Sequence, residues 1–170
     1  MTDPSVLLAD QARAVASTVV DPEMPMLTLA DLGVLRDVEI EDGTVVVDLT
    51  PTYSGCPAMA TMRDDLVARL KAAGFADVRI RVALYPPWTT DWITPAGKKA
   101  LADAGISPPG PALRRSGPVN LILAPTRRAV RCPQCGSAHT ELSSEFGSTA
   151  CKAMYRCTVC LEPFDHVKEI

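Results

Sequence analysis

The chain has 170 residues, of which 47% are apolar and 22% charged, a globular balance for one ordinary domain or a small domain plus a minidomain. A formal net charge of −3 speaks against a nucleic-acid partner, and no apolar run approaches the roughly 18 residues needed to span a membrane. Met1-Thr2-Asp3-Pro4 lacks the basic and apolar regions of a leader, so six cysteines point to a reducing cytoplasm, where they serve metals or chemistry.

Asp3-Pro4 reads as a cap and first-turn proline, followed by a helix whose buried stripe is Leu8, Ala12, Val15 and Val19. The two prolines of Asp21-Pro22-Glu23-Met24-Pro25 force a turn. A strand follows over Val34 to Ile40, and Asp42-Gly43 is a two-residue hairpin signal leading into a partner strand, Thr44 to Thr50. After Pro57, Met59, Met62, Leu66 and Leu70 line one face of a helix that ends at Ala73-Gly74. Val78 to Leu84 alternates apolar and basic residues, as a half-buried strand does. A short helix runs from Thr94-Pro95 to Ala104-Gly105. The order α-β-β-α-β-α gives an α+β fold, with helices packed on a three-stranded mixed sheet. Ser107-Pro108-Pro109-Gly110-Pro111 suits no regular element, although Val119 to Ala124 would serve as an edge strand. The expected organisation is therefore an α+β domain over 1–105, a Pro-rich linker or arm over 106–129 and a β zinc ribbon over 130–170.

Cys56 stands between the β-branched strand and the amphipathic helix. With Pro57 at the first helical position, the thiol would sit at or beside the N-cap, where unbonded N–H groups and the helix dipole lower a thiol pKa. The same residue reads equally well as a packed small hydrophobe.

Cys132-Pro133-Gln134-Cys135-Gly136 and Cys157-Thr158-Val159-Cys160 form two CxxC pairs with 21 residues between Cys135 and Cys157. That spacing is a zinc-ribbon signal, because two residues between thiolates let both sulfurs reach one tetrahedral ion. The expected strands are Thr140 to Phe146, Ala150 to Arg156 and a third from Leu161 to Ile170, with Gly147 near the first turn. So short a segment buries too little to fold alone, and the ion supplies folding free energy. Zinc is favoured over iron, since the strands lack a rubredoxin's aromatic packing. Six Lys/Arg against five Asp/Glu in residues 126–170 leave no phosphate footprint. Cys151 is a fifth ribbon thiol, read as packing, with a redox role or exchange with a ligand as the other reading. His139 and His166 read as surface residues. No histidine lies in residues 1–125, so Cys56 has no imidazole base in its own domain, which weakens a hydrolase reading. Asp21 and Glu23 either complete a site near the Cys56 thiolate or cap a turn and face solvent. Trp88 and Trp92, in Tyr85-Pro86-Pro87-Trp88-Thr89-Thr90-Asp91-Trp92, plug the sheet end or anchor an interface.

Asp21-Pro22-Glu23, Asp31-Leu32-Gly33 and the stretch from Thr50 to Cys56-Pro57 resemble the small domain of SufT-like iron–sulfur assembly proteins. The Tyr85 to Trp92 segment, Gly105-Ile106-Ser107-Pro108-Pro109 and Phe146-Gly147-Ser148-Thr149-Ala150-Cys151-Lys152 resemble a narrower group, the PaaD-type phenylacetate-degradation proteins. In that group the same domain is joined to a C-terminal ribbon. The resemblance implies an accessory factor in phenylacetate catabolism that matures the iron–sulfur centre of the multicomponent phenylacetyl-CoA 1,2-epoxidase, with the reductase subunit as client. It implies a structural zinc on Cys132, Cys135, Cys157 and Cys160. Cys56, with Asp21 and Glu23 near it, becomes the candidate for holding or passing iron or a cluster. A single cysteine cannot complete a tetrahedral site, so a homodimer, a client or a small thiol would supply the rest. The alternative is a non-catalytic structural subunit of the oxygenase complex; an independent thiol enzyme is the weakest reading. Neither nucleic acid nor membrane is an expected partner.

Overall fold

The computed structural model describes residues 4–53, 55–112 and 130–170. The chain divides into two compact units, Met1–Gly97 and Lys98–Ile170.

The first unit opens with α1 (Pro4–Ala16), followed by the hairpin of β1 (Leu35–Glu41) and β2 (Thr44–Leu49). Then come α2 (Met59–Ala72) and β3 (Val78–Val82). A short 3-10 turn at Thr90–Trp92 precedes α3 (Pro95–Asp103), within which the division between units falls. The sheet order is β1-β2-β3, antiparallel between β1 and β2 and parallel between β2 and β3, with α2 as the crossover. Asp42 and Gly43 both hold positive φ, the conformation the hairpin turn requires.

β2 lies between two strands, and Val45, Val46, Val47 and Leu49 are all buried. Helix α1 packs against β1, α2 against β3, and the helices touch each other. Met62, Leu66 and Leu70 fill the interface from α2. The opposite sheet face carries a charged ladder: Arg81 grips both oxygens of Asp48 at 2.5 and 2.8 Å, and Arg79 pairs with Glu41. Val46 lies opposite Glu39 on one side and Arg79 on the other. The stems of such long side chains roof a valine whose charged neighbours stay wet.

Three boundaries differ from the sequence reading. In α1, Leu8 is exposed and the buried line is Ala12, Ala16 and then Val19, because small residues let the helix approach the sheet closely. β3 stops at Val82, two residues short, and Leu84 and Tyr85 are exposed. Helix α2 starts at Met59, capped by Ala58, two residues after the expected start at Pro57.

The second unit contains β4 (Thr140–Ser144), β5 (Lys152–Cys157) and β6 (Pro163–Val167), an antiparallel sheet in chain order. The three expected ribbon strands are present but shorter. Gly147 donates to the Lys152 carbonyl at 2.8 Å and Lys152 to that of Thr149 at 3.1 Å, so the β4–β5 connection is a coiled loop. Val130, Cys132, Cys157 and Phe164 form its small core, with Tyr155 packed on it. Ser107 bridges to His166 alongside β6, donating to Asp165 at 2.8 Å and accepting from Val167 at 3.1 Å. The edge strand expected at Val119 to Ala124 lies outside the described residues. Among the described residues, no helix is long and apolar enough to cross a membrane.

Candidate metal centre and the Cys56 loop

The ribbon sulfurs converge. Those of Cys132 and Cys160 are 3.6 Å apart, as are those of Cys135 and Cys157, and the four lie within 4.8 Å of one another. A tetrahedron with Zn–S bonds of about 2.3 Å has edges of about 3.8 Å, so the quartet fits such an ion with little adjustment. The two knuckles repeat one backbone device. Cys132 donates to Ser137 at 2.9 Å and Cys157 to Glu162 at 3.0 Å, five residues on in each case. The residue after each second cysteine, Gly136 or Leu161, has φ of 72° or 66°. Glycine accepts that conformation freely, whereas leucine is strained by it.

The N–H groups of Cys160 and Val159 point at the Cys157 sulfur from 3.5 and 3.4 Å, and they lower its pKa to about 6. Cys160, although the N–H of Glu162 lowers it, is pushed up to about 12 by partial desolvation beside the other sulfurs and by hydrogen bonds with its thiol neighbours. Four sulfurs this close cannot all ionise without a cation among them, and a bound divalent ion removes that conflict. Cys132 and Cys157 are buried and Cys135 and Cys160 exposed, so the site closes toward the core and opens to solvent at one edge. These four thiolates form a metal site with no position left for a substrate, as a structural site requires. Among the described residues this is the one set of three or more His, Cys, Asp or Glu with ligand atoms close enough to share an ion.

The Cys56 loop has a different character. It leaves the carboxyl end of β2, which runs parallel to β3, the end of an α/β unit where ligands meet the chain. Thr50 donates to Val34 at 2.9 Å, which brings the 19–34 segment to that same end. Cys56 is half-buried between exposed Gly55 and Pro57. Its N–H donates to Tyr53 at 3.2 Å and its carbonyl accepts from Met59 at 3.4 Å. It therefore belongs to a tight turn ahead of the helix and is not the cap, a correction to the sequence reading. Pro57 lacks an N–H, so the chain enters α2 through an i→i+3 bond before the regular ladder begins.

Asp21 is buried, and its Oδ1 accepts the N–H groups of Glu23 at 2.7 Å and Met24 at 2.8 Å. Glu23 is half-buried. Among the described residues, Cys56, Asp21 and Glu23 are not brought together as a three-ligand set. Cys151 is buried outside the quartet, its sulfur 3.1 Å from the Thr149 hydroxyl.

Asp31-Leu32-Gly33 fastens the tryptophan segment to this end of the sheet. The Asp31 carboxylate accepts the hydroxyls of Thr28 at 2.8 Å and Thr94 at 2.7 Å. Buried Trp88 donates its indole N–H to the Leu32 carbonyl at 2.9 Å. A Cβ on Gly33 would meet that of Trp92 at 2.6 Å and its carbonyl oxygen at 2.8 Å. Arg36, the extra residue of a bulge in β1, lays its guanidinium 3.6 Å over the Trp92 ring. Trp88 is thus a plug over the sheet end.

One sequence expectation fails in the ribbon: His139 is exposed, but His166 is buried. Strand alternation explains it, since His166 follows Phe164 by two residues and shares its inward face. Its ring stands edge-on to Tyr155 with centroids 5.5 Å apart. That i, i+2 relation was the available signal.

Residues 117–168 match the family described as the PaaD zinc beta ribbon domain, and residues 9–82 match the iron-sulfur cluster assembly protein family. An Escherichia coli K12 chain, provisionally assigned as a 1,2-phenylacetyl-CoA epoxidase subunit, is 46% identical over 155 residues. The match covers 91% of this chain and 89% of that one. The chain belongs to the PaaD family. The chain also matches SufT of Staphylococcus aureus, an Fe-S protein maturation auxiliary factor, at 32% identity over 49% of this chain and 96% of that one. A crystal structure of a DUF59 domain from Bacillus anthracis superposes with a TM-score of 0.53 at 24% identity. It covers 57% of this chain and 93% of that one, which shows the fold. The PaaD ribbon match contains all four convergent cysteines, and the assembly-family match contains Asp21, Glu23 and Cys56.

Proposed function

We propose that this PaaD-family chain is an accessory factor in phenylacetate catabolism that matures an iron–sulfur centre of the phenylacetyl-CoA epoxidase system. The observation that carries the reading is the pairing of two parts in one chain. An assembly-type unit holds a half-buried thiol at the carboxyl end of a parallel strand pair, and a thiolate quartet fit for a structural ion follows it. In this reading Cys132, Cys135, Cys157 and Cys160 hold zinc, which keeps the ribbon folded. Cys56 is the thiol that takes iron or a cluster as cargo, and the loop shaped by Asp21 sits at the same end of the sheet. The further ligands come from the client, here the iron–sulfur reductase subunit, or from a second copy of the chain. Cys151, buried beside Thr149, is assigned to packing. The test is metal and acid-labile sulfide analysis of anaerobically purified protein, wild type beside Cys56→Ala. A single zinc in both with iron in wild type alone is the expected result; iron equal in both rejects Cys56 as the carrier.

A second reading has its own support. One Asp21 oxygen is bound to loop backbone, and the Cys56 neighbourhood forms no three-ligand set among the described residues. Both facts suit a non-catalytic structural subunit of the epoxidase. That reading predicts co-purification with the other subunits at a fixed ratio, unchanged by Cys56→Ala.

A further inference from the structure

Where β3 ends, the chain holds apolar side chains out in water. Val82, Leu84, Tyr85, Pro86 and Pro87 are all exposed, Leu84 to 64% and Tyr85 to 88%. The strip is anchored on both sides. Ala83 donates to the Leu49 carbonyl at 2.8 Å, and the Trp88 indole N–H to that of Leu32 at 2.9 Å. Two successive prolines restrict the backbone between those anchors, so little freedom is lost when a partner covers it. Tyrosine, with an apolar body and a polar tip, is enriched at the centres of protein interfaces. The strip leaves the carboxyl end of β3, beside the end of β2 from which the Cys56 loop departs.

The charge at this end narrows the occupant. Residues 19–34, 50–58 and 82–94 contain Asp21, Glu23, Asp31 and Asp91 and no Lys or Arg. The Asp31 carboxylate is held by uncharged hydroxyls, those of Thr28 and Thr94. Arg36, at the start of β1, lies over the Trp92 ring. An apolar strip edged by acids favours a partner that brings Lys or Arg to the rim. A second copy would turn the same acids on themselves across a twofold axis. Five exposed residues also fall well short of the roughly 20–30 a side that a stable interface uses, which suits a transient partner. We propose, on the reading of Cys56 as the cargo thiol, that this strip docks the iron–sulfur client. The client face has an apolar centre that packs on Leu84 and Tyr85. Lys or Arg on its rim face the acids, and its cysteines are thereby brought to the Cys56 loop.

The test is binding of the cluster-free epoxidase reductase subunit to the zinc-loaded full chain, followed by biolayer interferometry. Tyr85→Ser and Leu84→Ser should each weaken binding about thirtyfold, the scale of an interface hot spot. Both side chains are exposed, so melting temperature and zinc content should not change. Leu7→Ser, a matching change at an exposed position of α1, should bind as the wild type does. The association rate should fall severalfold as salt approaches about 1 M, where screening reaches ~3 Å. Wild type that fails to bind, unchanged binding by both strip variants, or equal weakening by Leu7→Ser would overturn the proposal. So would a stable wild-type dimer that Tyr85→Ser dissociates. The thiol is judged separately, by the cluster content of client matured with Cys56→Ala. A deficient cluster there with full binding by Tyr85→Ser rejects the docking strip and keeps the carrier. A filled cluster there with weak binding by Tyr85→Ser rejects the carrier and keeps the strip.

Discussion

β2 of the first unit buries Val45, Val46, Val47 and Leu49, with sheet neighbours on both sides. β5 of the second buries Lys152, Ala153 and Cys157 and leaves Met154 and Arg156 exposed. The first unit thus closes a hydrophobic layer between helices and sheet, and its candidate thiol sits in a turn at the edge of that layer. Among the described residues of the second, the cluster around the quartet is Val130, Cys132, Cys157 and Phe164, two of them metal ligands, so the order of that region depends on the ion. In one unit a candidate thiol is set at the edge of a hydrophobic layer that it does not build. In the other, cysteine chemistry is the fold.

Metal removal should break this contrast most strongly. A chelator that strips the quartet, or Cys157→Ser, should unfold the ribbon, since structural zinc sites contribute on the order of 10 kcal/mol. The first unit should keep its helical circular dichroism, and loss of both units together would contradict the division. The converse experiment is Gly33→Ala. A methyl group there meets Trp92 on a backbone that disfavours side chains, so the first unit should lose about 3 kcal/mol while the ribbon keeps its metal. Denaturant melts followed by tryptophan emission report it cleanly, as both tryptophans lie in that unit.

Within the ribbon the two knuckles sharpen the comparison. Gly136→Ala should cost about 1 kcal/mol through its positive φ alone, because open space surrounds that position. Leu161→Gly, at the matching place, should have the opposite sign and be smaller, the relief of strain being partly offset by a freer unfolded chain. Zinc-loaded thermal melts decide both. The smallest effect expected is that of Arg81→Met on the sheet's open face. Its bidentate pair with Asp48 is exposed to solvent, so the loss should be slight and should vanish near about 1 M salt, where screening reaches only ~3 Å.

Much of this architecture was legible in the residues. Met62, Leu66 and Leu70 at helical spacing, Asp42-Gly43 between alternating runs, and paired CxxC knuckles are local patterns with local causes, and each appears as read. What escaped depended on partners distant in sequence or on small shifts of register. The start of α2 moved because Pro57 belongs to a preceding turn. Leu8 is exposed because alanines, not leucines, face the sheet. The meaning of Asp31-Leu32-Gly33 emerges only with Thr94 and Trp88, which are 63 and 56 residues from their partners, and with the Trp92 backbone. His166 escaped because a lone histidine reads as a surface residue, whereas its alternation with Phe164 turns it inward.

The account rests on the Cys56 sulfur carrying cargo that a second protein needs. The most direct measurement is the iron and acid-labile sulfide content of the epoxidase reductase subunit, matured with wild-type chain or with Cys56→Ala, both folded and zinc-loaded. The account predicts a filled cluster with the wild type and a deficient one with the variant. Equal cluster content in the two preparations would contradict it.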